Sequence, residues 1–350
     1  MQALVAQRIK SARIRAGLSM RELSDQINGI VSHTAISKYE KAQNLPDSTV
    51  LTALANALGV KTDYFYRPHN VSLEKVEFRK RSKLGIKKVK SIKEEVIETI
   101  ERYLQVEEFL GINTVFKNPL KKRHIQDGND VEDAVLTLLK SWNLGYNALP
   151  NIIDLLEDKE IKVIELDADE AFDGLSGWAN SKIPIVVVNK NFPIERKRFT
   201  ALHELGHLLM QFDEGLTDKE IERFCHQFAG AMLIPKPTFI QELGELRSSI
   251  AIPELVNLKE TYGVSIQAIM ARAKHLGIIS NDRYVRFRKW INRTGNRKEE
   301  GLGEYKGIES SNRFNQLIYR AAAEEIISLS KAASLANVKL AKFRDDFVAI

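Results

Sequence analysis

The stretch RFTALHELGHLLM at residues 198–210 decides the fold of the middle of the chain. Its apolar residues recur at helical spacing, which predicts an α-helix packed into a core. His203 and His207 are four residues apart and therefore lie on one face of that helix, with Glu204 next to them. This spacing is typical of zinc hydrolases, in which two imidazoles bind the ion and the glutamate acts as general base on the attacking water. We expect zinc, with manganese as the alternative ion.

A catalytic zinc ion generally takes a third protein ligand, and the next segment offers candidates for it. Residues 215–235, GLTDKEIERFCHQFAGAMLIP, have the apolar spacing of a second amphipathic helix. Glu222 lies near the edge of its apolar face and is the predicted ligand, because an antiparallel helix would carry this carboxylate to the imidazoles. Glu220 is the alternative, although it points about 200° away around the helix. Cys225 falls on the packed face and is expected to fill the core rather than to bind metal.

Two short segments upstream of this helix pair have the composition of strands. Residues 161–167 (IKVIELD) and 183–189 (IPIVVVN) are rich in β-branched residues, whereas helical patterns dominate from 194 to 277. The sequence therefore predicts an α+β fold that is mainly helical and holds a small sheet. We expect the backbone of residues 187–189 to bind an extended substrate by strand addition. Residues 173–178 (DGLSGW) are expected to form either a glycine-rich loop at the cleft or a plain turn.

Residues 3–67 form a run of short helical patterns separated by turn signals. Ser19 and Glu22 stand in the S-x-x-E order of a capping box, so a helix is expected to begin there. A third helix is expected at residues 32–41 and a fourth at residues 49–58. These patterns predict a four- or five-helix unit at the N-terminal end.

Composition limits the class of protein. With 350 residues, 44% of them hydrophobic, the chain is expected to form two or three domains. No apolar run approaches the roughly 18 residues of a membrane span, and the first residues lack the continuous apolar stretch of a secretory signal. A single cysteine agrees with a reducing compartment. We therefore expect a cytoplasmic protein that contacts no membrane.

Charge is distributed unevenly along the chain. Residues 1–126 carry a formal charge of +10 and the remainder −4, which favours contact with nucleic acid near the N-terminus. Residues 79–93 contain eight Lys or Arg and no acid, and they are expected either to neutralise DNA phosphates or to form a solvated helix face. An acidic amphipathic helix is predicted at residues 94–110. The basic, aromatic stretch 283–298 is expected to place core aromatics under a solvated face, with nucleic-acid contact as the alternative.

The N-terminal helices resemble a known DNA-binding family. LSMRELSD (18–25) and AISKYEKAQNLPDSTVLTALANALGVKTDYF (35–65) are similar to the helix-turn-helix domain of the XRE family, which includes Cro- and C1-type repressors. The resemblance implies that the third helix enters the major groove of a double-stranded operator and that the protein binds as a homodimer. The residues of this segment that we expect to contact DNA are His33, Thr34, Ser37 and Lys38.

Two departures from the XRE pattern concern the docking of that helix. The stretch between Leu23 and Ile36 is about two residues longer than the usual tight turn. Ala42 stands where the family commonly has glycine. The angle at which the third helix meets DNA is therefore left open by the sequence.

The central part of the chain resembles a family of metallopeptidases. The strand VVVN (186–189), the helix RFTALHELGHLL (198–209) and the pattern ExxxHxFAxxxLIP (222–235) are similar to the ImmA/IrrE family. With the upstream segment WNLGYNALPNIIDLLEDKEIKV (142–163), the similarity runs over about residues 75–280. The resemblance implies a zincin-like domain with His203, His207 and Glu222 as metal ligands and Glu204 as catalytic base.

His226 stands where that family commonly has Asn or Asp, four residues after the predicted ligand Glu222. In such sites this residue usually orients a zinc-bound histidine. Three roles for His226 stay open at this point: donation to a ligand, service as an extra ligand, or exposure to solvent.

The sequence divides into four predicted regions: a helix-turn-helix domain at 1–70, a basic then acidic helical linker at 71–126, a metallopeptidase domain at 127–280 and a helical region of unassigned role at 281–350. The predicted function is a DNA-binding transcriptional regulator whose conditional zinc endopeptidase cleaves itself, at the basic stretch 79–93, or cleaves a repressor-like partner. The alternative is a repressor or antitoxin-like protein whose metallopeptidase-like domain senses a ligand or binds a toxin-like partner without proteolysis. A housekeeping peptidase with a vestigial helix-turn-helix is disfavoured by the basic N-terminal third.

Overall fold

The computed structural model describes residues 1–78, 84–295 and 301–348. Its helices are α1 (Gln2–Arg15), α2 (Met20–Gln26), α3 (His33–Glu40), α4 (Ser48–Leu58), α5 (Ile86–Phe109), α6 (Gly128–Ser141), α7 (Ile152–Asp158), α8 (Ile194–Leu209), α9 (Asp218–Leu233), α10 (Lys236–Leu243), α11 (Ile252–Tyr262), α12 (Ile266–His275), α13 (Asn281–Arg293), α14 (Arg313–Ala323), α15 (Leu329–Leu335) and α16 (Leu340–Asp346). A 3₁₀ helix, Thr62–Tyr66, follows α4. The strands are β1 (Leu73–Phe78), β2 (His124–Ile125), β3 (Lys162–Leu166), β4 (Gly174–Ala179), β5 (Ile183–Asn189) and β6 (Gln211–Phe212). This composition confirms the expected α+β, mainly helical fold.

The first four helices and the 3₁₀ helix enclose a hydrophobic core of their own. The predicted capping box is present at the start of α2. The Glu22 backbone N–H donates to Ser19 Oγ at 3.2 Å, and the Ser19 N–H donates to Glu22 Oε2 at 2.5 Å. Ile36 of α3 is fully buried in this core, so the opposite side of α3 faces outward.

The turns on either side of α3 use left-handed backbone. The long stretch between α2 and α3 turns through Asn28 (φ 54°) and Gly29 (φ 68°), which both tolerate this conformation. Ala42, just after α3, has φ 56°. An alanine in this region costs about 1–2 kcal/mol relative to ordinary backbone, which explains why the family commonly places glycine there.

α5 connects the N-terminal helices to the rest of the molecule. Its lysine-rich beginning and acidic end oppose the helix dipole, so packing must stabilise it. On one side α1 docks against it, with Arg8 Nη1 2.7 Å from Glu101 Oε2 and Ser91 Oγ donating to the Arg15 carbonyl at 2.6 Å. The helix begins before the predicted range 94–110 and takes in the end of the basic stretch, of which residues 79–83 lie outside the described residues.

The main sheet separates α5 from α8. Its strand order is β1-β4-β5-β3, with β3 parallel to β5, and β4 antiparallel to both β5 and β1. Side chains of β5 alternate as a central strand requires. Ile185 and Val187 join the core beneath α5, whereas Val186 and Val188 join the larger core that contains α8. A separate parallel pair is formed by β2 and β6.

Three expectations about this sheet were wrong. The segment 173–178 is neither a loop nor a plain turn, because most of it forms β4. The backbone of 187–189 cannot accept a substrate strand, because β5 is already paired with β4 on one side and β3 on the other. The linker 71–126 is not purely helical, since residues 73–78 form β1 on the outer edge of β4. Its alternating charges hide this strand, and the open edge of β4 supplies the pairing.

The region after α12 packs back onto both halves of the molecule. Arg198 of α8 is fully buried and pairs with Glu309 at 2.7 Å, which ties the extended segment before α14 to the central core. Phe287 of α13 lies in that core with Tyr284 and Trp290 packed against it, in agreement with the core interpretation of 283–298, of which residues 296–298 lie outside the described residues. α14, α15 and α16 form a small core with the end of α5. Within the described ranges, no helix is long and apolar enough to cross a bilayer.

Candidate metal centre

α8 presents the H-E-x-x-H residues to the interior. His203 and Glu204 are essentially buried, at 0% and 1% exposure, and His207 one turn later is partly exposed. The two Nε2 atoms lie 3.2 Å apart, so both imidazoles aim at the same point. The predicted single-face arrangement is therefore present.

α9 supplies the third donor. Glu222 Oε2 lies 3.5 Å from His203 Nε2, and Glu222 Oε1 lies 3.3 Å from His207 Nε2. Among the described residues, these three form the group whose donor atoms all lie within 4.8 Å of one another. Hydrogen bonds with His203 and then His207 hold the pKa of Glu222 well below its usual range, so the carboxylate is ionised. Two imidazole nitrogens and one carboxylate are a donor set that fits zinc.

Glu220 is occupied elsewhere. Thr217 caps α9, and Glu220 Oε2 accepts from the Thr217 backbone N–H at 2.9 Å and from its hydroxyl at 2.7 Å. Hydrogen bonds from Thr217 lower the pKa of Glu220. The order T-x-x-E at 217–220 was a capping-box signal that could have shown this from the sequence. Glu220 thus stands outside the donor group.

The close approach of α8 and α9 depends on a glycine. A Cβ on Gly206 would lie 3.3 Å from Phe228 Cδ1 and 3.4 Å from Cys225 Sγ, both on α9. It would also lie 3.2 Å from Met210 Cε. Cys225 is buried at this helix contact, as expected for a core residue. The glycine between the two histidines therefore brings α9, and Glu222 with it, within reach of them.

β4 holds the predicted general base. Ser176 Oγ donates to Glu204 Oε2 at 2.8 Å, and both residues are buried. Gly174 allows this approach, since a Cβ there would lie 2.7 Å from Thr200 Cγ2 and 3.4 Å from Glu204 Cγ. Ser176 was missed by the sequence reasoning. The spacing of the glycines in DGLSGW marked a close backbone approach, but nothing local indicated which helix approaches.

His226 lies beside the centre. Its Nδ1 is 2.6 Å from the backbone oxygen of Glu222, one turn earlier on α9. A carbonyl oxygen can only accept, so Nδ1 carries the proton. The ring meets the His203 ring edge-on, with centroids 4.4 Å apart. The His226 ring thus contacts two residues of the donor group: the backbone oxygen of Glu222 and the ring of His203.

A cleft opens next to His207. Its volume is about 1240 Å³, and the β4–β5 turn and the segment after α5 form its walls. Trp178, Pro184 and Phe116 give it apolar surface, and four glutamates and three lysines make the rest of its lining mixed in charge.

The candidate DNA-contacting residues lie together on α3. Ser32 caps this helix by accepting a hydrogen bond from the Ala35 N–H at 3.2 Å. His33, Thr34 and Lys38 are exposed. Ser37, the fourth candidate, is partly exposed, and Thr34 and Lys38 lie on the side of α3 opposite the buried Ile36.

Two family models match the chain. The IrrE N-terminal-like domain matches residues 156–274, which include the three donors and Glu204, and a helix-turn-helix model matches residues 9–65. The chain joins an XRE-type helix-turn-helix to an IrrE-like domain. Both resemblances in the sequence are thereby confirmed. The IrrE-like match begins after β1 and α5, so these elements lie outside the matched residues.

A curated relative supports the DNA-binding half. A stretch of 68 residues is 32% identical to the HTH-type transcriptional regulator ImmR of Bacillus subtilis (strain 168). The stretch covers 19% of this chain and 52% of ImmR, so the chain spans about half the length of this relative. Its name describes a transcriptional regulator of the helix-turn-helix type.

Proposed function

We propose that this protein is a DNA-binding transcriptional regulator whose IrrE-like domain is a conditional zinc endopeptidase. The convergence of His203, His207 and Glu222 beside Glu204 carries the proposal. A module that only binds a partner has no use for a buried carboxylate next to the donors, whereas peptide hydrolysis needs this general base.

The chemistry follows from the roles of the side chains. Zinc, or manganese as the alternative, supplies Lewis-acid polarisation of the scissile carbonyl when bound by His203, His207 and Glu222. Glu204 takes a proton from the attacking water and delivers it to the leaving amine. Ser176 restricts rotation of the Glu204 carboxylate through its 2.8 Å hydrogen bond. His226 supports the geometry of Glu222 and His203 through the contacts described above.

The position of β1 supports a conditional activity. Peptide substrates often bind enzymes as an added strand on a sheet edge. The strand that carries Ser176 has one such edge, and β1 covers it, with Glu77 opposite Ser176 and Phe78 opposite Leu175. An outside peptide must displace β1 before it can pair with β4. A signal that loosens β1 therefore opens the site.

The same geometry favours a substrate within the regulatory system. The basic stretch 79–93, whose first five residues lie outside the described residues, follows directly after β1 in the sequence. Self-cleavage in this stretch would separate the helix-turn-helix from the IrrE-like domain. A repressor-like partner presenting an extended segment is the other substrate we propose.

The helix-turn-helix is proposed to read an operator in double-stranded DNA. His33, Thr34, Ser37 and Lys38 of α3 are the proposed contacts, in the major groove, and a homodimer would place two such helices on adjacent half-sites. This role would place the protein in the cytoplasm, where it can reach DNA.

A second candidate is a repressor or antitoxin-like protein that binds a ligand or a toxin-like partner without proteolysis. The covered edge of β4 favours it, because β1 occupies the position that a substrate strand would need. In this case the centre would hold metal for stability and β1 would stay in place.

Mass spectrometry distinguishes the two candidate functions. The purified chain is incubated with zinc or manganese and with candidate repressor partners. We expect cleavage products from wild type and none from Glu204→Gln, which should keep its metal. Glu77→Pro should speed cleavage, since Glu77 lies opposite Ser176 and proline cannot donate a backbone hydrogen bond to β4. If wild type binds metal and represses from its operator but cleaves neither itself nor a partner, and Glu77→Pro changes nothing, the second candidate is correct.

A further inference from the structure

A second cavity is lined by none of the metal centre residues. It lies where three parts of the molecule meet. Its volume is about 580 Å³. The C-terminal ends of α1 and α4 with the 3₁₀ helix form one wall, α5 forms the second, and α15 with the start of α16 forms the third. The lining residues are Arg15, Gly59, Val60, Lys61, Tyr64, Arg67, Glu95, Glu98, Thr99, Arg102, Ala333, Ser334, Asn337, Val338 and Lys339.

The lining carries an excess of positive charge. It contains five cationic side chains and two carboxylates. Arg15 pairs with Glu98, and Arg67 pairs with Asp63 at 2.9 Å and donates to Ser334 Oγ at 2.8 Å. Cations therefore remain in the cavity after the internal pairs are formed, and they come from all three walls.

Arg102, on the α5 wall, has one buried nitrogen that donates to no partner in the described part of the chain. Its Nη1 donates to the Leu335 carbonyl at 3.0 Å and its Nη2 to Thr99 Oγ1 at 3.3 Å. Its Nε is buried without a hydrogen-bond partner, and within the described residues Arg102 forms no ion pair. Burial, followed by repulsion from Arg15 and Arg67, lowers the pKa of Arg102 to about 10, so it stays charged at neutral pH.

Burying these cationic groups destabilises the folded protein unless an anion binds to them. An unmatched cation and an unsatisfied N–H both lose hydration without compensation. Guanidinium groups bind the oxygens of phosphate in a fork geometry, and several of them around one cavity suit a polyanion. The volume lies within the usual range for small-molecule sites, about 300–1,000 Å³.

We propose that this cavity binds a phosphorylated small molecule of nucleotide size, with Arg102 as its central anchor and Arg67 and Lys339 as further contacts. The ligand would bridge the helix-turn-helix, α5 and the C-terminal helices. Because it contacts all three, it stabilises their present arrangement and couples the ligand concentration to the position of the DNA-binding domain. This inference is independent of metal binding and proteolysis.

Calorimetric titration of the full-length protein, without DNA and at constant ionic strength, tests the proposal. The probes are inorganic phosphate, AMP, ADP and citrate. We expect ADP and AMP to bind more tightly than inorganic phosphate and citrate, and to raise the unfolding temperature. Arg102→Met should weaken nucleotide binding at least tenfold, whereas Arg344→Met, an exposed arginine of α16 outside the cavity, should leave it unchanged.

Arg67→Gln serves as a second variant if Arg102→Met does not fold, and it should also weaken binding. Absence of nucleotide binding to wild type would overturn the proposal. Equal binding to wild type and the cavity variants would likewise overturn it, because the anion would then bind elsewhere. Citrate binding as tight as ADP binding would refute the phosphate assignment.

Discussion

Replacing Gly206 tests whether the packing of α8 against α9 controls metal affinity, because the substitution leaves the metal ligands themselves unchanged. An alanine Cβ at this position meets Met210 Cε at 3.2 Å, Phe228 Cδ1 at 3.3 Å and Cys225 Sγ at 3.4 Å. The contacts with Met210 and Phe228 are tighter than usual, so these side chains must shift by a few tenths of an ångström, and we expect α9 to move with Phe228. Glu222 lies one turn before Cys225 on α9 and would move with it.

The magnitudes follow from these contacts. Alanine gains about 1 kcal/mol over glycine in a helix interior, and the tight contacts of Gly206→Ala offset most of that gain. Gly206→Val places two methyl groups beyond the alanine Cβ in the same space, and we expect it to lower the free energy of unfolding by about 1–3 kcal/mol. Displacement of the carboxylate donor should weaken zinc binding by about tenfold to a hundredfold, the range seen when groups supporting metal ligands are changed.

Gly230 of α9 offers a matched control. It is also a buried helical glycine, but a Cβ there would meet only Arg272 Cδ, at 3.8 Å, which is ordinary contact. Gly230→Ala should therefore raise stability by about 1 kcal/mol and leave zinc affinity unchanged. Zinc affinity would be measured by competition with a fluorescent chelator, and stability by urea unfolding of the metal-free protein. A Gly206→Val protein with wild-type zinc affinity and stability would refute the role of this glycine.

Three further predictions concern other parts of the molecule. Glu222→Ala should lose zinc on dialysis, as measured by elemental analysis, whereas Glu220→Ala should retain it and lose only the cap of α9; the reverse ranking would move the third ligand. Ala42→Gly should raise the unfolding temperature of the N-terminal helices, because removing an alanine from left-handed backbone increases the free energy of unfolding by up to about 1 kcal/mol. A lower unfolding temperature would contradict the backbone strain at Ala42. Burial raises the pKa of Glu101, but hydrogen bonds from His69 and an arginine of α1 outweigh it and hold that pKa below its usual range. The contact between α1 and α5 should therefore be intact above the unfolded pKa of about 4.3 and weaken as pH falls below it; hydrogen exchange in α1 should follow this dependence in wild type and not in Glu101→Gln.

Local signals in the sequence were sufficient for much of the fold. The capping box at Ser19 and Glu22 and the strand pattern of β5 depend on neighbouring residues, and both are present as expected. The H-E-x-x-H spacing is equally local, because one helix turn brings His203 and His207 together. Glu222 could be predicted because it lies near the apolar face of a helix that had to pack against α8.

Other features depend on contacts between distant segments. β1 exists because β4 offers an unpaired edge, and Ser176 meets Glu204 because β4 crosses α8 at a glycine. The cavity around Arg102 requires three regions of the chain to meet. In each case the partner is tens to hundreds of residues away, and periodicity along the chain contains no information about it.

The sequence by itself therefore determined the two kinds of domain and the likeness of each to a known family, since helix periodicity, caps and ligand spacing are local properties. Only the tertiary structure decided which edge of the sheet is covered, which serine holds the base, and where a cationic cavity forms. The physical reason is that strand pairing and side-chain burial are settled by the surfaces that remain open after the local elements have formed.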